Sequence, residues 1–169
     1  MYSPLYPQRV SYSNSLVKVS FPSLEIAGYN FMSCSTEYLE EVSLPKLKEL
    51  SDGALTYAVY LKRIYMPNVE KIGDGVLEEN KTLEEIDLPK LEILGRSFLR
   101  SNNTIKVLNL PKLSYIPYEM LGENNSVEQV YAPVAKRIEE FAFFDNRMMK
   151  SFIAPNVVDI DDNTIFSNN

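Results

Sequence analysis

The stretch "LEEIDLPKLEIL", residues 83–94, decides the fold of this chain. Leu83, Ile86 and Leu88 have the spacing of a short buried β-strand, yet Pro89 follows at once. Because proline has no amide hydrogen to donate to a sheet ladder, it is rare inside a strand. The proline therefore indicates that the strand is meant to end after three or four residues, and that the chain bends away from the sheet there.

The same arrangement recurs along the whole chain. Seven prolines are separated once by 23 residues and then five times by 22, namely Pro22, Pro45, Pro67, Pro89, Pro111, Pro133 and Pro155. Below, a position is counted from the proline of its row, so that +5 lies five residues after it and −4 lies four residues before it. A fixed period of this length is typical of a repeat protein.

Apolar residues occupy the same positions in almost every row. Positions −6, −3 and −1 read Leu-x-x-Ile-x-Leu, and positions +2, +5 and +10 are also apolar. The spacing of two before the proline predicts a short strand, and the remaining positions read as turns around a core. A single row cannot bury its apolar side, whereas stacked rows can, so we predict a solenoid with one row per coil.

Asparagine forms a further column at position +13, consisting of Asn80, Asn102, Asn124, Asn146 and Asn168. A carboxamide both donates and accepts hydrogen bonds. We therefore expect these side chains to point inward and to bond the turn backbone of their own coil and of the next one. The repeat explains them better than the glycosylation sequons that begin at three of them.

The rows, for example "LEEIDLPKLEILGRSFLRSNNTIKVLNLP", resemble the BspA-type leucine-rich repeat over residues 16–169. The family has a glycine at position +6, which Gly73 and Gly95 match and which Pro117 and Glu139 replace in later rows. At position +13, asparagine replaces the family's cysteine. The resemblance implies a leucine-rich-repeat right-handed coil, with a short-stranded parallel β-sheet on the concave face and turns or short helical segments on the convex face. It also implies a binding role without catalytic residues, on surface or secreted proteins of bacteria and some protists.

We expect residues 1–169 to form a single domain, in which residues 1–15 are an N-terminal cap and residues 16–169 are repeats, the last one incomplete. Since the sequence stops before the strand of its last row, we expect the chain either to be a fragment of a longer array or to have its last coil covered by another chain. Self-association through that uncapped C-terminal coil is one form of the second option.

Alternate side chains of a strand face opposite ways, so positions −4 and −2 should point out of the predicted sheet. This surface differs from row to row, and its tyrosine, arginine and apolar residues are of the kinds that anchor protein interfaces. It is the predicted binding face for a protein or a glycan, although a plain solvated sheet is the alternative. Its candidate residues are Arg63, Tyr65, Glu85, Asp87, Val107, Asn109, Gln129, Tyr131 and Ile153.

Composition argues against several other classes of function. The chain has 17 basic and 23 acidic residues, a balance that does not favour nucleic acid, and no apolar run long enough to insert into a membrane. It has no histidine and a single cysteine, Cys34, which argues against most zinc sites and histidine-based triads. We predict neither a cofactor nor a metal site.

Two acidic motifs invite chemical readings. Glu85 and Asp87 are a carboxylate pair on one strand face, as in glycosidases, but such exposed pairs are usually only solvated. The motif "DIDDNT" at 159–164 resembles the start of a calcium-binding loop but lacks its glycine and its closing glutamate. The alternatives to a binding module are a parallel β-helix enzyme acting on polysaccharide and a structural spacer within a larger surface protein.

Overall fold

The computed structural model describes residues 16–33 and 38–164, and within them the chain winds as a parallel β-solenoid. Six of the seven described rows contribute a three-residue strand at positions −4 to −2, as predicted, whereas the Pro89 row pairs only through an isolated bridge at Glu85. These strands are β1 (Lys18–Ser20), β3 (Glu41–Ser43), β5 (Arg63–Tyr65), β8 (Val107–Asn109), β10 (Gln129–Tyr131) and β12 (Ser151–Ile153). They pair in parallel with a register of one row, for example Glu41 with Arg63 and Gln129 with Val107. We call this layer the first sheet.

The proline of each row begins a β-turn, which explains its fixed place after the strand. In all seven rows the amide at +2 donates to the carbonyl at −1, as from Leu91 to Leu88 at 3.3 Å and from Val69 to Met66 at 3.2 Å. Proline is favoured at the second position of such turns because its ring presets φ. The chain therefore leaves the first sheet at the same height in every coil.

A second parallel sheet follows the turn, and the sequence interpretation missed it by reading these positions as turns. Its two-residue strands lie at +4 and +5: β2 (Ile26–Ala27), β4 (Glu49–Leu50), β6 (Lys71–Ile72), β7 (Ile93–Leu94), β9 (Tyr115–Ile116), β11 (Arg137–Ile138) and β13 (Asp159–Ile160). The residue at +5 faces the core and its neighbour at +4 faces outward, so that Leu50 is buried while Ile93 is half exposed. We call this layer the second sheet.

The third side of each coil consists of turns, and the described residues contain no helix. The helical segments allowed for on the convex face are therefore not confirmed. Position +8 has a left-handed backbone in all seven rows, whether it is a glycine, as at Gly53, or not, as at Ser97 (φ 54°) and Phe141 (φ 56°). The amide at +8 can thereby donate to the next coil, for example from Gly53 to Asp74 at 2.8 Å. Hydrogen bonds between coils thus continue through this side, which we call the turn side.

The core is one continuous apolar cluster between the three sides. The predicted columns fill it: Leu55, Leu77 and Leu99 at +10 have no exposed surface, and neither do Leu91 and Leu113 at +2. In the last described coil, however, Ile160 at +5 is 53% exposed, because no described coil packs on its outer side.

The asparagine column is buried, as predicted, but it bonds the preceding coil rather than the next. The amide nitrogen of Asn102 donates to the Leu77 carbonyl at 2.8 Å and to the Arg100 carbonyl of its own coil at 3.4 Å. Asn80 and Asn124 repeat this pattern with Leu55 and Leu99. Because these side chains have little or no exposed surface, they are unsuitable as glycosylation sites.

The expectations for the N-terminal cap, Cys34 and Asn168 lie outside the described residues. That the first sheet forms the concave side of the solenoid, and that the coil is right-handed, stay predictions.

Candidate binding face

The outward residues of the first sheet form the face that the sequence singled out. All nine candidate residues are exposed there, whereas the residues between them point into the core, so that strand β5 alternates exposed, buried, exposed along Arg63, Ile64 and Tyr65. Tyr65 is 58% exposed, so its ring is accessible to a partner. Their exposure agrees with the predicted alternation, and that they bind a partner stays a prediction.

The face is not one uninterrupted sheet. Strands β1, β3 and β5 form one group and β8, β10 and β12 another, and between them only an isolated bridge joins Arg63 to Glu85. The structure therefore brings Arg63, Tyr65 and Glu85 together on one part of the face. Val107, Asn109, Gln129, Tyr131 and Ile153 share the other part, while Asp87 follows the bridge outside any strand.

The part nearer the N-terminus is charged, and we call it the charged half. Opposite charges alternate along position −4: Lys18 lies 2.7 Å from one oxygen of Glu41, Arg63 bonds the other oxygen, and Glu85 follows Arg63 across the bridge. These two cations hold the pKa of the Glu41 carboxyl below its usual range, chiefly through their hydrogen bonds to it. Opposite charges side by side on parallel strands also favour this register.

A depression of about 430 Å³ lies over the charged half. Its outward-facing lining comes from Lys18, Ser20, Glu41, Ser43, Arg63, Tyr65 and Glu85. Most of these side chains can form hydrogen bonds or ion pairs, and Tyr65 adds an exposed aromatic ring. This arrangement suits polar and aromatic groups of a partner.

The part nearer the C-terminus carries no charge at positions −4 and −2, and we call it the neutral half. Val107, Tyr131 and Ile153 expose 56%, 44% and 51% of their surface, respectively. Amide and hydroxyl side chains lie among them at Asn109, Gln129 and Ser151. Apolar and aromatic groups framed by neutral polar ones resemble the centre of a protein interface more than a solvated rim.

The second sheet presents another outward face, which sequence reasoning did not identify. Charged pairs cross its coils, as between Lys71 and Glu49 at 2.8 Å and between Arg137 and Asp159 at 2.6 Å, and a shallow depression of about 480 Å³ lies beside the first of these pairs. The sequence signal for these strands was a residue that varies from row to row at +4, followed by an apolar residue at +5. Strands of two residues are, however, too short for an alternating pattern to stand out.

The geometry does not strengthen the chemical readings of the acidic motifs. No group of three or more histidine, cysteine or acidic side chains in the described ranges could hold a metal ion. Within "DIDDNT", Asp159 and Asp161 are both bound by Arg137, at 2.6 and 2.9 Å. Nor does any helix in the described part of the chain have the length and apolar character needed to cross a membrane.

Comparisons with known proteins agree with this architecture. A family model for the BspA type leucine rich repeat region matches in six copies, over residues 7–128 and 48–169. A solved structure described as a leucine rich cell surface protein from Faecalibacterium prausnitzii A2-165 superposes with a TM-score of 0.64 at 18% identity. The alignment covers 85% of this chain and 43% of that one, so this chain spans less than half of its length. No curated protein matches the chain.

Proposed function

The chain belongs to the BspA-type leucine-rich repeat family, and from that premise we propose that it is a non-enzymatic binding module whose first-sheet face recognises a protein partner. The observation that carries the proposal is that nine variable residues project from this face while the columns between them are fixed by the core. Packing does not require these side chains, so their identities are free to be set by a partner.

The two halves of the face support different contacts. Tyr65 and Arg63 in the charged half, and Tyr131 in the neutral half, belong to the residue types that contribute most to binding energy. The exposed Val107 and Ile153 supply apolar area around Tyr131. A folded protein surface, which mixes all of these chemistries, fits such a face better than a glycan, which would use the tyrosines and the polar groups only.

We place the protein at a cell surface or in secreted material. Membership of the BspA-type leucine-rich repeat family supports this location, and the solved structure with a similar fold is described as a cell surface protein. A polysaccharide-acting enzyme is the alternative, and it rests on the carboxylate pair Glu85 and Asp87 alone, both of which are exposed on this face.

The test is a comparison of captured partners. Wild type and a Tyr65→Ala/Tyr131→Ala variant are immobilised, and the proteins bound from an extract of the source cells are identified by mass spectrometry, with a glycan array in parallel. The matched control is Tyr29→Ala/Tyr57→Ala, which removes two exposed tyrosines from the turn side. We expect the face variant to lose partners that the control retains. If both variants capture what wild type captures, the first-sheet face is not the binding face.

A further inference from the structure

Both sheets are interrupted at one level of the solenoid. In the first sheet no strand pairing joins Glu85 to Val107 within the described residues, and in the second sheet none joins β7 to β9. The two gaps lie one after the other along the chain, between the same two coils. We call this level the junction.

Pro117 accounts for one of the backbone bonds that are missing from the second sheet at the junction. In other rows the amide at +6 donates to the carbonyl at +5 of the preceding coil, as from Gly95 to Ile72 at 2.8 Å and from Glu139 to Ile116 at 2.9 Å. Pro117 occupies +6 but has no amide hydrogen, so it cannot make this bond. The hydroxyl of Tyr115 donates instead to the waiting carbonyl of Leu94, at 2.6 Å.

The polar contacts that cross the junction on the sheet sides are therefore made by side chains. Besides the Tyr115 hydroxyl, Lys112 reaches Glu92 at 3.2 Å, and the Thr104 hydroxyl donates to the Leu83 carbonyl at 2.6 Å. Side-chain bonds of this kind re-form more easily in a new geometry than a backbone ladder does. The core continues through this level, since Leu91 and Leu113 are both buried, and it keeps the two coils packed together.

The turn side, in contrast, is tied firmly at the same level. Backbone bonds run from Ser97 to Tyr118 at 3.0 Å and from Ser101 to Gly122 at 2.9 Å. The guanidinium of Arg100 also links three coils, with Glu123 at 2.8 Å, Glu78 at 3.4 Å and Glu119 at 3.8 Å. At the junction, backbone hydrogen bonds between described residues thus join the two coils on the turn side but not on the two sheet sides.

We infer that the solenoid has a hinge at this junction, with its axis along the turn side near Arg100, and that Tyr115 is the latch on the opening side. Bending there widens or closes the gaps in both sheets together. The junction separates the charged half of the first-sheet face from the neutral half, so the bend changes the angle between them. Hinges of this kind need only a few residues to absorb the change.

The hinge is tested without any partner, so its failure would leave the proposed function untouched. Cys34 is replaced by serine, and nitroxide labels are placed at Ile26→Cys and Val158→Cys, two exposed positions on the second-sheet side. Six coil spacings of about 4.8 Å put these positions roughly 29 Å apart, within the range of pulsed electron resonance. The width of the distance distribution is the readout.

Pro117→Ala restores the amide donor and keeps a Cβ, so we expect it to narrow the distribution. Tyr115→Phe removes the hydroxyl that bonds Leu94 and should broaden the distance distribution. Tyr131→Phe is the control, because it removes a tyrosine hydroxyl away from the junction, and its distribution should be as wide as that of wild type. If Tyr115→Phe leaves the width of wild type as well, there is no hinge at this level; this holds even if Pro117→Ala fails to fold.

Discussion

Gly95 provides the sharpest single-residue test of how closely the coils approach each other. A Cβ at this position would lie 2.4 Å from the Gly73 carbonyl carbon and 2.5 Å from the Asp74 nitrogen of the preceding coil. Ordinary contacts of this kind begin near 3.4 Å, so Gly95→Ala must push the backbone at Gly73 and Asp74 away by about 1 Å.

Overpacking of this kind costs about 1–3 kcal/mol, and the lower entropy of an unfolded alanine chain returns about 0.4–1 kcal/mol. We therefore expect Gly95→Ala to lower the free energy of unfolding by about 1–2 kcal/mol. The drop would appear as an earlier midpoint in urea unfolding followed by circular dichroism.

Gly28 is the matched control, because it occupies the same +6 position in the first described coil but has no atom within 4 Å of an added Cβ. Gly28→Ala should leave stability unchanged or raise it slightly. If the two alanine variants unfold at the same urea concentration, the close approach of coils at +6 is not real, and steric crowding does not explain the family's glycine.

Three further outcomes follow from the hydrogen bonds, backbone angles and charges. Asn102→Ala should lower the free energy of unfolding by about 1–3 kcal/mol, because the buried Leu77 carbonyl and the part-buried Arg100 carbonyl lose their donor. Asn109→Ala on the exposed face should have no measurable effect, and equal losses in the two variants would contradict the asparagine hydrogen bonds. Ser97→Gly should raise thermal stability. A non-glycine residue with a left-handed backbone costs about 1–2 kcal/mol, which exceeds the entropic cost of glycine, about 0.5–1 kcal/mol. A lower melting temperature of the variant would count against the left-handed turn. In a carbon-13 NMR titration, the pKa of Glu41 should lie below the ordinary glutamate value, so that its contribution to stability is lost as the pH falls through that pKa. The pKa of Glu78 should lie above the ordinary value, because burial disfavours its charged form. A pKa of Glu41 higher than that of Glu78 would refute the assigned ion pairs.

The sequence was sufficient to predict the coil, the first sheet and the core. Each of these depends on side chains that recur at fixed distances from a proline, such as Leu91 and Leu113 at +2, so the repeat itself reveals them. The exposed residues of the candidate face followed from the same alternation, since Ile64 between Arg63 and Tyr65 had to point inward.

What the sequence could not show depends on the backbone and on single departures from the repeat. The second sheet has strands of two residues, and the left-handed position +8 is occupied by glycine only at Gly53 and Gly75. Whether each asparagine bonds the preceding or the following coil depends on how far one coil is shifted relative to the next, and the repeat period alone does not define that shift. Pro117 was visible as a proline outside the regular series, but its consequence required knowing which amide it removes.

The central claim is that one row of 22 residues makes one coil, and a pair of deletions tests it most directly. Removing residues 45–66 joins Leu44 to Pro67 and keeps every column in register, so this variant should unfold cooperatively as a solenoid shorter by one coil spacing of about 4.8 Å. Removing residues 45–55 leaves only half a row between Leu44 and Pro67. That coil cannot close, and the coils on its two sides cannot stack in register, so this variant should lose cooperative unfolding. If both deletions fold equally well, or if both fail, the assignment of one row to one coil is contradicted.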